Sequence, residues 1–386
     1  MFSLFGDGPY HWVPFRSVLC VTKGASNFWL GRILVLGKSP RTENRFAGAN
    51  ADGMKLPAGV RDWLPEELKR KRSVEAAIRG VFTRFGYDEV ETPAIERYET
   101  LLAGLGDHVA AQTYRFDDRR GTELALRPEM TTSIARLVST RMGDRLPVRL
   151  AYIARVFRFE EPQEGRMREF TQAGLELIGA SDRAADAEAL FTAIAMLDEV
   201  ALDAAQFDIN HVAVVDGVLA ALGIPATLIG AVKGALATRN LVGLRELLSE
   251  RYARAAKTLF EVALARGTND LLNYLAPFCP TEAANDGLQR LRDLLRQARE
   301  RGLSERVTVD FTLLRGPGYY TGLVFEGYVG EIGFPLCGGG RYDDLLPRFG
   351  LTAPAVGWST GVERMLIALE RREKKREKMR TESELG

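Results

Sequence analysis

The stretch RVFRFEEPQEGRMREFTQAGLELIGA, residues 155–180, decides how this chain is read. Strand parity in its first part sets Arg158 and Glu160 on one face and Phe157 and Phe159 on the other. A charged loop with Arg166 and Arg168 follows, and the next strand then places Phe170, Gln172, Gly174 and Glu176 on a common face. Gly174 leaves room there. A carboxylate and an amide flanking a position without a side chain can hold a small amino acid, the acid taking an ammonium or imidazole N–H. On the pattern alone, an ordinary solvent-facing hairpin ranks ahead of a binding site.

Outward from this stretch, strand-like segments cover 113–127, 148–160 and 170–178. A helix opens at Pro65 with Val74, Ile78, Val81, Phe82 and Phe85 as its apolar stripe, and Gly86 is placed to stop it. A second long helix is predicted from about Ser181, with Ala187, Leu190, Ile194 and Leu197 on one side. Residues 212–304 are rich in Ala and Leu and read as helical, and alternation returns at Val307, Val309, Phe311 and Leu313. The pattern is α+β. It predicts a core split into 54–211 and 305–370 by a helix-rich insertion, 212–304, and followed by a charged tail, 371–386, whose Glu370–Lys374 spacing suits a solvated helix. Residues 1–53 are Gly-rich and poor in acids, with Trp12 and Trp29 in no sustained period. A transit peptide fits them less well than an upstream start or an added extension, because Met54 directly precedes the coherent folded pattern. A chain starting at Met54 is therefore expected to stay soluble, which expression of that shortened chain would check.

Composition narrows the function classes. Of 386 residues 46% are hydrophobic and 27% charged, enough to bury a large core. The 52 Lys and Arg against 51 Asp and Glu leave a net charge of +1, so no global basic field points to nucleic acid. Cys20, Cys279 and Cys337 show no CxxC spacing, and His11, His108 and His211 are dispersed, so neither a disulfide framework nor a metal centre is expected. A reducing cytoplasm fits best. No apolar run approaches the roughly 20 residues that span a bilayer.

The FRxExP...GRxREFxQxGxExxG run resembles the second signature motif of class II aminoacyl-tRNA synthetases in its histidyl form. That resemblance implies an antiparallel sheet flanked by helices, with Arg158 on the α-phosphate of ATP, Glu160 placing the adenine, and Gln172 and Glu176 holding histidine. Four other segments agree in order and spacing, so the likeness covers roughly Leu56 to Leu369. LALRPEMTTSIARLV, residues 124–138, matches the segment whose acid and threonine, here Glu129 and Thr131, bind the amino group. LLRGPGYYTGLVFEGY, residues 313–328, matches a histidine-specific signature through Arg315, Tyr319 and Tyr320. LCGGGRYDDLL, residues 336–346, resembles the glycine-rich stretch beside the adenylate. APAVGWSTGVERMLIALE, residues 353–370, resembles the third motif, with Arg364 close to a helix start near Gly361, a natural phosphate site. Pro93 stands where the first motif has its dimer-interface proline, which implies a homodimer.

The chain departs from the synthetases at specific places. Only the charged tail follows the third motif, where they carry an anticodon-binding domain of about a hundred residues. Glu161 is acidic where they are basic, which disfavours a polyanionic substrate. Met130 replaces a glycine, and Pro317 and Gly318 replace Leu-Asp. A kept amino-acid pocket beside a lost tRNA apparatus resembles the ATP phosphoribosyltransferase regulatory subunits. That likeness implies a non-catalytic protein that binds L-histidine, activates a short-form catalytic subunit and mediates feedback inhibition, as a homodimer within a hetero-octamer. No cofactor, tRNA or membrane is expected. One rival is a truncated histidyl-tRNA synthetase or paralogue still forming histidyl-adenylate, supported by Arg158, Arg315 and Arg364. A sensor of uncharged tRNA is the more distant one.

Overall fold

The computed structural model describes residues 55–161, 163–248, 252–314 and 319–385. The expectation for 1–53 and the site residue Arg315 lie outside them. Helix α1 (Pro65–Arg84) starts on a proline, where a missing N–H costs nothing, and Glu67 accepts from Leu64 N at 3.1 Å. Its stripe Val74, Ile78, Val81 and Phe82 is buried, and Gly86 turns the chain at φ +72°. Phe85 is exposed, because the helix has already ended there.

Next come β1 (Asp88–Glu89), β2 (Ile95–Arg97), α2 (Tyr98–Gly104), α3 (Asp107–Ala111), β3 (Arg115–Asp117), β4 (Glu123–Leu126) and α4 (Thr131–Arg141). The strand-like stretch 113–127 is thus two strands, split where the Asp118 carboxylate accepts from Arg120 N at 2.7 Å and Thr122 N at 2.9 Å. With β2 they form a three-stranded antiparallel sheet.

The deciding stretch and its forerunner form a hairpin of β5 (Val148–Phe157) and β6 (Glu169–Ile178), in a register that sets Tyr152 opposite Gly174 and Ala154 opposite Gln172. The expected parity stops at Phe157. Phe159 N bonds to Gln112 O at 2.7 Å, which draws Arg158 to Glu160 out of the strand. Helix α5 (Arg183–Glu199) starts two residues later than predicted, because Asp182 is its cap and accepts from Ala185 N at 2.8 Å.

Strand β7 (Gln206–His211) leads into α6 (Val212–Ala221), α7 (Ala226–Ala237), α8 (Leu241–Leu248), α9 (Ala253–Leu264), β8 (Arg266–Gly267), α10 (Asn269–Leu275) and α11 (Glu282–Glu300). Then follow β9 (Val307–Asp310), β10 (Leu323–Tyr328), β11 (Cys337–Arg341), β12 (Ala355–Gly361) and α12 (Val362–Leu385). The large sheet has the order β1-β5-β6-β12-β11-β10-β7-β9-β8. It is antiparallel except at β1–β5 and β7–β9, so the expected antiparallel sheet is mixed towards its edges. A parallel pair needs a long crossover, and between β7 and β9 the whole insertion supplies it.

Alternation along each strand divides the interior. Ala151, Leu175, Leu177, Val356 and Trp358 face one core, which also holds Phe82, Leu190 and Met365 of the helices. Leu150, Tyr152, Val156 and Ala355 face the other, with Met130, Ile134 and Val138 in and beside α4. The charged run after Glu370 continues α12 without a break. Arg371–Glu164 at 2.5 Å, Arg372–Asp203 at 2.6 Å and Arg70–Glu373 at 2.5 Å tie it to the body, each worth at most about 1 kcal/mol. Among the described residues no helix is long and apolar enough to cross a membrane.

Candidate ligand-binding site

On the α4 side of the large sheet lies a cavity of about 340 Å3. Its first wall is the start of α4. The Glu129 carboxylate accepts from Thr131 N at 2.7 Å and Thr132 N at 2.8 Å, an anion at a helix N-terminus. Gln172 on β6 accepts from Met130 N at 2.9 Å through its side-chain oxygen, leaving its amide N–H groups as donors. Thr131 Oγ1 donates to Glu176 Oε1 at 2.8 Å. The α4 start and β6 are thereby stitched together through three of the predicted residues.

Glu176 is the centre of the polar network and only 1% exposed. Besides Thr131, the Tyr342 hydroxyl donates to its Oε2, and the Tyr152 hydroxyl lies 3.5 Å from Oε1. Burial pushes the carboxyl up to about 8 from its ordinary 4.5, the hydroxyl bonds oppose this, and the nearby Glu129 charge adds to it. Burial also holds Tyr342 well above the usual tyrosine range, so it stays a donor. Tyr319 packs edge-on to Tyr342 at 5.7 Å and to Tyr320 at 5.5 Å.

The raised carboxyl has a testable consequence. Between about pH 4.5 and 8 folded Glu176 keeps a proton that the unfolded chain releases, so its contribution to stability falls as pH rises through that window and is flat above it. Thermal melts of the ligand-free protein should show a decline over this window that Glu176→Gln removes. Identical profiles for the two proteins would contradict the assignment.

Two glycines shape the floor. A Cβ at Gly174 would lie 2.2 Å from Trp358 O and 2.5 Å from the Tyr152 hydroxyl oxygen. The gap read from the sequence as ligand space is therefore filled by Tyr152. A Cβ at Gly357 would lie 1.9 Å from Glu176 Oε2, so that glycine makes the room for the buried carboxyl.

The second set of predicted residues is two arginines and an acid. Arg158 donates to Pro128 O at 2.7 Å, and its guanidinium is 3.9 Å from Glu160. Arg364 donates to Gly165 O at 2.9 Å and Pro335 O at 3.2 Å, and burial pulls it below the ordinary arginine range. Glu129, Thr131, Arg158, Glu160, Gln172, Glu176, Tyr319, Tyr320 and Arg364 all line this one cavity. Sequence reading missed Tyr152, Tyr342 and Glu326. Tyr152 was recoverable from strand pairing, since it stands opposite Gly174, and Glu326 stands opposite Gly338. Tyr342, beyond the end of β11, gave no periodic signal.

Residues 59–365 match the family described as histidyl-tRNA synthetase. The chain is 42% identical over 318 residues to the ATP phosphoribosyltransferase regulatory subunit of Moorella thermoacetica, covering 82% of each chain. It is 41% identical over 321 residues to the protein of that name from Desulforamulus reducens, covering 82% of this chain and 79% of the relative. A crystal structure described as an ATP phosphoribosyltransferase regulatory subunit/histidyl-tRNA synthetase from Bacillus halodurans C superposes with a TM-score of 0.76 at 33% identity, over 86% of this chain and 91% of that one. Fold and site together define a class II synthetase-like core of the histidyl type. Within that class the chain belongs to the family of ATP phosphoribosyltransferase regulatory subunits.

Proposed function

We propose that this chain senses L-histidine for ATP phosphoribosyltransferase at the first step of histidine biosynthesis. It activates a short-form catalytic subunit, carries the feedback inhibition and catalyses nothing itself. The observation that carries the reading is the convergence of Glu129, Thr131, Gln172 and Glu176 on one cavity, with Thr131 bonded to both Glu129 and Glu176, and Gln172 bonded to the adjoining Met130 N. In it the histidine ammonium faces Glu129 and Thr131, an imidazole N–H meets Glu176, and Tyr319 and Tyr320 wall the ring. Arg315 is the charge-matched partner for the carboxylate. Membership in the family supports the partner. Exposed Pro93, Ile95 and Phe116 in and beside the small sheet support a homodimer there, set within a hetero-octamer in the cytoplasm.

Arg158, Glu160 and Arg364 are on this reading the remains of a nucleotide site. Arg158 and Arg364 already donate to main-chain carbonyls. Glu161 is exposed, an acid where tRNA would need a base. The purified protein is expected to charge no tRNA and to bind none tightly at physiological salt, checked by aminoacylation and filter binding. The arginines lining the same cavity favour one second reading, a synthetase paralogue forming histidyl-adenylate. Histidine-dependent pyrophosphate exchange with ATP decides between them.

Calorimetry tests the pocket itself. Tyr342→Phe removes one donor to Glu176 and leaves the ring in place, so histidine affinity should fall by about tenfold while cooperative unfolding persists. Unchanged affinity would place the ligand elsewhere. The reading as a whole is tested by phosphoribosyl transfer of a catalytic subunit with and without this chain and histidine. No activation and no histidine sensitivity would end it.

A further inference from the structure

We propose that Arg341 is a positioning residue of the histidine pocket and that Arg290 of the helical insertion tunes it, because the two guanidiniums share the buried carboxylate of Asp186. The proposal rests on the pocket reading above. Arg341 is the last residue of β11, and both of its neighbours in the chain touch the pocket. Tyr320 lies so close over Gly340 that a Cβ there would be 2.9 Å from its ring, and Tyr342 donates to Glu176. Thr321, next to Tyr320, grips the same place: its N–H donates to Arg341 O at 2.8 Å, and its hydroxyl accepts from Asp343 N at 3.0 Å. A displacement of the Arg341 backbone therefore moves two of the pocket's tyrosines together.

The side chain of Arg341 goes to α5 instead and is only 4% exposed. Its Nε donates to Asp186 Oδ1 at 2.7 Å, and Nη2 lies 2.7 Å from the same oxygen. Nη1 donates to Ala180 O at 3.1 Å and to Asp343 Oδ1 at 3.2 Å. Asp186, near the start of α5, is 1% exposed and gives its other oxygen to a second cation: Oδ2 accepts from Arg290 Nη1 at 2.8 Å. Arg290 stands on α11 of the insertion and also donates to Asp286 at 2.7 Å and to Ser181 O at 3.2 Å. From insertion to pocket every step is a direct contact or a peptide bond: Arg290 to Asp186, Asp186 to Arg341, and Arg341 through its own backbone to Tyr342 and Thr321.

A buried carboxylate divided between two cations responds to the loss of either. Without Arg290, Asp186 Oδ2 is left unmatched in the interior, where an unpaired charged group is costly. The carboxylate then turns towards Arg341 with both oxygens, the guanidinium follows, and the hydroxyl of Tyr342 is drawn out of line with Glu176. Arg183 supplies a control from the same region. It ties the same start of α5 to the same helix α11, but its ion pairs go to Asp286 at 2.8 Å and Asp293 at 2.6 Å rather than to Asp186.

Calorimetry with L-histidine on the full chain tests the role. Arg290→Met, which keeps the aliphatic stem, should weaken binding roughly five- to tenfold, at the low end of couplings between distant sites. Arg183→Met should stay within about twofold of wild type, because exposed pairs hold little energy. Tyr342→Phe closes a cycle. If Arg290 acts through Tyr342, adding Arg290→Met to Tyr342→Phe should cost little further affinity, whereas a general loosening of the insertion would give additive losses. Arg290→Lys, which keeps a charge but not the fork, should fall between wild type and Arg290→Met, and it takes over the cycle should Arg290→Met fail to melt cooperatively. Wild-type affinity in the Arg290 variant, equal losses in the Arg290 and Arg183 variants, or additive losses in the cycle would overturn the positioning role. Failure of the wild-type protein to bind histidine at all would instead overturn the pocket reading.

Discussion

Reconstituted with a short-form catalytic subunit, the Glu176→Ala chain should still assemble, but half-inhibition should need roughly 10- to 100-fold more histidine than in the wild-type pair. The size follows from the contact removed. A hydrogen bond to a charged group contributes about 1.5–3 kcal/mol, and every 1.4 kcal/mol is a factor of ten. Glu176 is the acceptor on which Thr131, Tyr342 and Tyr152 converge, so its loss removes the group proposed to read the imidazole and also slackens the α4 start. The effect depends on pH. Burial holds Glu176 at about 8, so near neutrality much of the empty pocket is protonated, and a ligand that needs the carboxylate must displace that proton. Wild-type histidine affinity should therefore rise from pH 6.5 towards about 8, and the rise should be absent in Glu176→Gln. Equal histidine sensitivity of wild type and Glu176→Ala in the transferase assay would remove Glu176 from the site.

Gly357→Ala should cause a large loss of stability, about 3 kcal/mol or more. The added Cβ would sit 2.3 Å from the carbonyl of Leu175 and 1.9 Å from Glu176 Oε2. Neither can yield cheaply, because one belongs to the ladder between β6 and β12 and the other to a buried carboxyl held by three hydroxyls. Overpacking a tight interior costs about 1–3 kcal/mol, and displacing backbone adds to it. Gly338→Ala is the control. Its Cβ meets nothing nearer than 3.6 Å, so the fold should hold while the cavity loses a little room. Denaturant unfolding of the two variants measures the contrast. A Gly357→Ala protein as stable as wild type would show that the floor of the pocket is softer than its geometry.

Much of this molecule is written locally in the chain. The apolar stripe of α1, the stop at Gly86 and the alternation that sets Gln172 and Glu176 on one face follow from periods of 3.6 and 2, which depend on nothing distant. Motif order carried the rest, and every predicted site residue the structure describes lies on one cavity. Other features could not be read this way. The end of β5 at Phe157 depends on a bond from Phe159 to Gln112, some 47 residues away in sequence. The parallel pairing of β7 with β9 depends on a crossover of nearly a hundred residues. The space above Gly174 is a property of two strands, since only their register brings the Tyr152 hydroxyl over it. What the sequence determined by itself were the main helices, the strand face that carries Gln172 and Glu176, and the residue types of the site, because these rest on neighbours along the chain. What only the tertiary structure decided was the electrostatic state of Glu176 and the meeting of Thr131, Tyr152 and Tyr342 around it, because desolvation and long-range contacts exist only once remote segments have excluded water together.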